Sequence, residues 1–325
     1  MDGLVRLFVQ AKRWPSVFVA GAAAIFIIAA SQPAAAAESF NPLFSLCLAS
    51  NPPMTPEALW RSWSLTPQVM LPLLLVLALY SRGYMALRRM ETLPPGWQVA
   101  CAVAGVAVLC LALISPLCRL AATLASAHMV QHLLLVAVAP PLLALGRPLP
   151  VLNAALPQGW QGELAKHGNR LARGWRRHGG PFGAAVAYGA AIWLWHAPVV
   201  YRAVLVDPVL HTIAYAGLIG ISFVYWAALM TVDQHSPSGY GGIILSLLTT
   251  LMHTGLLGAL LTFSSVAWYP ILSNNAALWH LTPIADQQLA GLIMWVPMGA
   301  IYLVGSLAAA AAWMTVAARP ASAGH

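Results

Sequence analysis

Seven long apolar runs dominate this chain, at 64–82, 97–116, 122–146, 181–205, 209–231, 241–266 and 285–315. A helix needs about 20 residues to cross the hydrocarbon core of a bilayer, and a barrel strand only about 10. Helices and closed barrels are the only structures that satisfy their own backbone in lipid. Runs of this length therefore exclude strands, and the expected fold is all-α, a polytopic membrane helix bundle of seven transmembrane helices. Composition agrees, because 60% of the residues are hydrophobic and only 7% are charged, against about 25% charged in soluble domains. The net charge of +8 does not point to nucleic acid. Its basic residues sit between the apolar runs rather than along one polar face, so the expected surroundings are a lipid bilayer.

The segments outside the runs give an expected topology. Residues 1–37 read as a signal peptide: Lys12 and Arg13 precede a short apolar stretch, and Ala34 to Ala37 precede Glu38. An uncleaved signal anchor is the rival reading. Residues 38–62 form an exported Pro-rich segment, 63–316 the seven-helix membrane domain and 317–325 a cytoplasmic tail. Basic residues collect in the loops that this threading puts in the cytoplasm, namely Arg82, Arg88 and Arg89, and then Arg147 through Arg177. The protein is thus expected in a bacterial inner membrane, with its mature N-terminus periplasmic and its C-terminus cytoplasmic. Loop 147–180, with His167 and His178, reads as a basic topogenic loop against anionic lipid. Of four cysteines, Cys101 and Cys110 lie in an apolar run. Cys47 and Cys118 fall on the exported side, and the sequence leaves their pairing open.

The ten histidines sort by depth. His128 and His132 lie early in the third run, His196 late in the fourth, and His211 opens the fifth. His253 sits near the middle of the sixth. His280 precedes the seventh run, which Asp286 begins. All of these, with Asp207, fall in the outer half of the membrane, where ionisable groups are costly and face partners in the bundle. His128 and His132 are spaced i, i+4, on one helix face. Two imidazoles so placed either bind one metal ion or hydrogen-bond between helices. No Glu follows the first His, so a metalloprotease lacks its base. Met252 precedes His253, and imidazole with thioether suits copper. Met129, Met252 and Met294 are second-tier ligands on that reading and core filler on the other. His196 is a second-tier ligand or a member of an aromatic belt. His211 is a second-tier ligand or makes a local hydrogen bond near Asp207. Asp286 is a helix N-terminal acid, a metal ligand, or a partner that orients an imidazole.

Three stretches carry a resemblance. His128-Met-Val-Gln-His132 with the Ala139-to-Pro148 run, Met252-His253 with Gly255 and Gly258, and Asp286-Gln-Gln-Leu-Ala-Gly-Leu-Ile-Met-Trp295 together resemble the CtaG family of caa3-type cytochrome c oxidase assembly factors. The resemblance covers roughly residues 60–315. It implies a multi-span, non-enzymatic protein that helps to build haem-copper oxidase at the stage of copper supply, with cytochrome c oxidase subunits as partners. Carried over, its positions are His128, His132, His253 and Asp286, the expected metal site. Three rivals stay open: a docking scaffold without metal, a copper permease with polar groups continuing across the inner half, and a membrane enzyme with a di-iron site.

Overall fold

A computed structural model describes residues 46–48, 52–163, 166, 180–230 and 237–317. The signal peptide read over 1–37, His167, His178, His235 and the tail from 318 lie outside the described residues. So do most of the positions between 164 and 179.

The described chain folds as helices α1 (Pro67–Arg89), α2 (Gly96–Leu113), α3 (Pro116–Ala121), α4 (Ala125–Leu133), α5 (Ala139–Gly146) and α6 (Pro148–Ala154). These are followed by α7 (Gly180–His196), α8 (Pro198–Val206), α9 (Pro208–Met230), α10 (Pro237–Phe263), α11 (Pro270–Ser273) and α12 (Pro283–Ala317). Eight of them open on proline, whose fixed φ suits the first helical position and whose missing N–H removes a donor that would be unpaired there anyway. There is no strand among the described residues. Among the described residues, six helical stretches are long and apolar enough to cross a membrane, and a seventh does so only if a bent pair counts as one.

That bent pair corrects one expectation. The run 181–205 is not a straight span: α7 ends at His196, and α8 leaves it at 74°. Pro198 is the cause. It forces Ala197 into an extended conformation (φ −62°, ψ 125°), as proline does to the residue before it.

The third span is also interrupted, between α4 and α5, by a π-helical turn over Leu134–Val138. Pro140 has no N–H to give to the carbonyl of Val136, four residues back. Trp226 of α9 supplies the missing donor, its Nε1 lying 3.1 Å from the Val136 oxygen. A proline that breaks the ladder is thus mended from a neighbouring helix, as lipid requires.

The core lies between the later helices. Tyr188, Tyr225 and Tyr302 are fully buried at its centre. The hydroxyls of Tyr188 and Tyr302 are 2.7 Å apart, and the rings of Tyr188 and Tyr225 stack at 4.7 Å. Tyr225 donates to Thr250 at 3.1 Å. Helices α1 and α2 sit at the edge and bury few of their apolar side chains. Gly83 brings α1 onto α6, where a methyl group would strike the carbonyl of Val151.

Helices α10 and α12 pack along each other most extensively. Small residues let backbones approach closely in membranes, and Gly258 and Gly291 do so here. A Cβ on Gly291 would lie 2.6 Å from both the Gly258 oxygen and the Thr262 nitrogen. Both contacts are backbone, so neither can swing aside. Gly291→Val is expected to destabilise the protein by about 1–3 kcal/mol, the usual range for overpacking. Its thermal midpoint in detergent should fall, whereas that of Gly96→Ala, where a Cβ meets nothing within 4 Å, should stay near the parent.

A candidate histidine pocket

The third span starts without its own cap. Leu124 stands at the N-cap of α4 and has no side-chain oxygen to offer. The cap comes from α12 instead. Asp286 accepts from the backbone N–H of Ala125 through Oδ2 at 2.7 Å and from that of Ser126 through Oδ1 at 3.0 Å. Its Oδ1 also accepts the Ser126 hydroxyl at 2.5 Å. A carboxylate at a helix N-terminus satisfies open donors and complements the helix dipole. Asp286 is 0% exposed, and both of its oxygens are engaged. It therefore fixes the start of the helix that carries His128 and His132.

Those two histidines share one face of α4, with ring centroids 4.3 Å apart. The end of α7 brings His196 to them, 5.9 Å from His132 between centroids. Helix α8 brings Tyr201, 5.4 Å from His128. The start of α9 brings His211 and Tyr215, whose rings stack at 4.3 Å. Tyr215 meets His128 and His132 edge-on, at 6.4 and 5.9 Å. All four histidines are buried at helix ends, so they occupy one end of the bundle.

Three of the four imidazoles are held the same way. Nδ1 lies 3.3 Å from the Ala121 carbonyl in His128, 2.7 Å from that of Ile192 in His196 and 3.0 Å from that of Val204 in His211. A carbonyl can only accept, so Nδ1 carries the hydrogen and Nε2 keeps a lone pair. In His196 and His211 that Nε2 is buried without a partner, and so is the hydroxyl of Tyr201. Most buried polar atoms are paired, and an orphaned imidazole nitrogen marks a place where something else can bind. A cavity of about 20 Å³ lies beside these groups, enough for one water-sized occupant. His128, His132, Trp195, Tyr201 and Tyr215 are among its walls. His196 and His211 are not among the walls, but each is in ring contact with one, His196 with His132 and His211 with Tyr215. Among the described residues, no three His, Cys, Asp or Glu side chains are already arranged to hold a metal ion.

The other expected members fall elsewhere. His253 packs on α7, where a methyl group on Gly189 would lie 2.9 Å from its Nε2, and it is not part of the cavity wall. Met252 is 71% exposed on the outside of α10. Met129 and Met294 are buried in the main apolar core, which is the filler role. His280 is exposed. Asp207 caps α9 locally, accepting from Val209 and Leu210 at 2.8 Å each. His196, set against an aromatic belt in the sequence reading, is buried and in ring contact with His132.

The sequence reading missed Tyr201, Tyr215 and Gln131. The last had a signal, an amide inside a span between two histidines, where polar groups need partners. Cys47 and Cys118 form a disulfide, and Cys101 and Cys110 are free and half-buried.

A multi-span helical membrane protein with a buried histidine–tyrosine pocket at one end is the class that these features define. Residues 78–315 match the family model described as cytochrome c oxidase caa3 assembly factor, and the chain belongs to that family. The curated proteins give no match, and neither do the solved structures.

Removing the Asp286 carboxylate leaves buried donors unpaired, which costs about 1–3 kcal/mol. Asp286→Ala is accordingly expected to lower the thermal midpoint, and Asp286→Asn, which keeps one acceptor oxygen, should lower it less. A midpoint unchanged in Asp286→Ala would show that the cap does not hold α4.

Proposed function

We propose that this chain is a membrane-embedded assembly factor that holds a copper ion in the histidine pocket and passes it to a cytochrome c oxidase subunit. One observation carries this reading. Imidazoles oriented by Nδ1–H bonds to backbone carbonyls, with a buried Nε2 left open, have the arrangement that metal-binding histidines use. Imidazole suits copper among several metals, and the family's connection with a haem-copper oxidase favours copper.

On this reading His128 and His132 supply one helix face of the site, and His196 and His211 close on the ion from α7 and α9. Asp286 acts through α4 rather than as a ligand. His253, Met129, Met252 and Met294 lie outside the ligand set. Tyr201 offers its unpaired hydroxyl to a ligand or water on the ion.

The pocket end would face the periplasm and the C-terminus the cytoplasm of a bacterial inner membrane. Two features support this orientation: Arg82, Arg88, Arg89 and Arg147 lie at the helix ends away from the pocket, and the Cys47–Cys118 disulfide suits an oxidising compartment. Asp286 and the histidines then lie where an oxidase subunit exposed to that compartment could take up the ion.

Copper in purified protein, measured by elemental analysis, is the direct test. His128→Ala/His132→Ala and His196→Ala/His211→Ala are each expected to lose copper affinity by at least about tenfold, the lower bound for disturbing even the outer shell of a metal site. Oxidase activity in membranes should fall with it, at unchanged amounts of the protein. Parental copper content in both double variants would overturn the metal site and leave a docking scaffold. Copper accumulation in sealed vesicles would point to a permease instead.

A further inference from the structure

Gln131 lies between the two pocket histidines in sequence, to one side of the face that they share, and is not itself a cavity-lining residue. It is 0% exposed, a full amide inside a membrane bundle. Its Nε2 donates to the Ala112 carbonyl of α2 at 2.8 Å and to Sγ of Cys47 at 3.3 Å. Its Oε1 accepts the Tyr215 hydroxyl at 2.7 Å. One side chain thereby joins α2, the disulfide-bonded segment at Cys47 and the aromatic ring that touches His128, His132 and His211.

The chemistry favours a purpose beyond packing. An apolar residue of the same size would fill this space without needing three partners, and buried polar groups are costly unless all are met. Here all of them are met, and each bond fixes a different element. Tyr215 has only one hydroxyl, and Gln131 determines where it points. The ring then lies flat on His211 and edge-on to the α4 pair. The Cys47–Cys118 bridge holds the sulfur that one amide hydrogen reaches, so the exported segment is tied to the same hub.

We propose that Gln131 is a positioning residue that couples the Cys47–Cys118 disulfide to the histidine pocket, through the Tyr215 hydroxyl. The proposal rests on the reading of this pocket as a copper site. Full-length protein in detergent is titrated with cupric ion, and the electron paramagnetic resonance spectrum of the bound ion is recorded. Gln131→Met, Tyr215→Phe and Cys47→Ser/Cys118→Ser are each expected to weaken copper by about tenfold, the low end for an outer-shell change, and to alter the spectrum. Gln131→Met combined with Tyr215→Phe should lose no more than Gln131→Met alone, because the loss of the amide already removes the bond that Tyr215→Phe deletes. Losses that multiply, or parental affinity and spectrum in Tyr215→Phe, would overturn the coupling. That variant deletes one hydroxyl and keeps the ring, so it decides the matter even if Gln131→Met does not fold. Carbethoxylation of the histidines, mapped by mass spectrometry without metal, separates the two claims. If the parent binds no copper, the metal reading fails. The coupling then stands or falls on whether His128, His132 and His211 react faster in Tyr215→Phe than in the parent.

Discussion

Lipid offers no hydrogen bonds, and this structure is organised by that lack. Each backbone group left open by a proline or a helix start has to be met from inside the protein. The carbonyl of Val136, orphaned by Pro140, is met by Trp226. The open N–H groups of Ala125 and Ser126 are met by Asp286. Such repairs cross between helices, so they do more than satisfy a bond. They fix which turn of one span lies beside which turn of another, and the histidine pocket inherits its geometry from them.

The pocket is a place where this pairing is left incomplete. Around it, His128, His196 and His211 point Nδ1 at carbonyls of their own or adjoining helices, and Gln131 uses its whole amide. Yet Nε2 of His196, Nε2 of His211 and the Tyr201 hydroxyl have no partner. Both nitrogens of His253 and the hydroxyls of Thr66, Tyr80 and Ser306 are open too, but only at the pocket do such atoms from three helices gather around one small cavity. An occupant with electron-accepting character would satisfy them.

Much of this was legible in the residues. Run length gave the helices, and proline placed most of their starts. The i, i+4 spacing put His128 and His132 on one face, and the family match follows the stretches that carried the resemblance. Depth alone, however, could not say which groups meet. His253 and His196 are both histidines of the outer half. One faces Gly189 and the other His132, because that depends on helix rotation, which an apolar sequence scarcely encodes: α7 and α10 are hydrophobic all round. Asp286 was a capping acid, as its position allowed, but the helix that it caps is 160 residues away in sequence. No local pattern announces such a pairing. The bend after His196 was written in Pro198, and the length of the apolar run concealed it.

That bend sets the depth of the pocket. Helix α7 stops at His196, where Pro198 turns the chain by 74°. What would have been the remainder of a span is turned sideways as α8. Tyr201, Val204 and Leu205 on its inner side line the cavity, and Arg202 and Val206 on its outer side are exposed. The chain has turned the end of a crossing into a roof one helix thick. An ion in the proposed site would then lie under a single helix, and the underside of that roof is already part of the chamber.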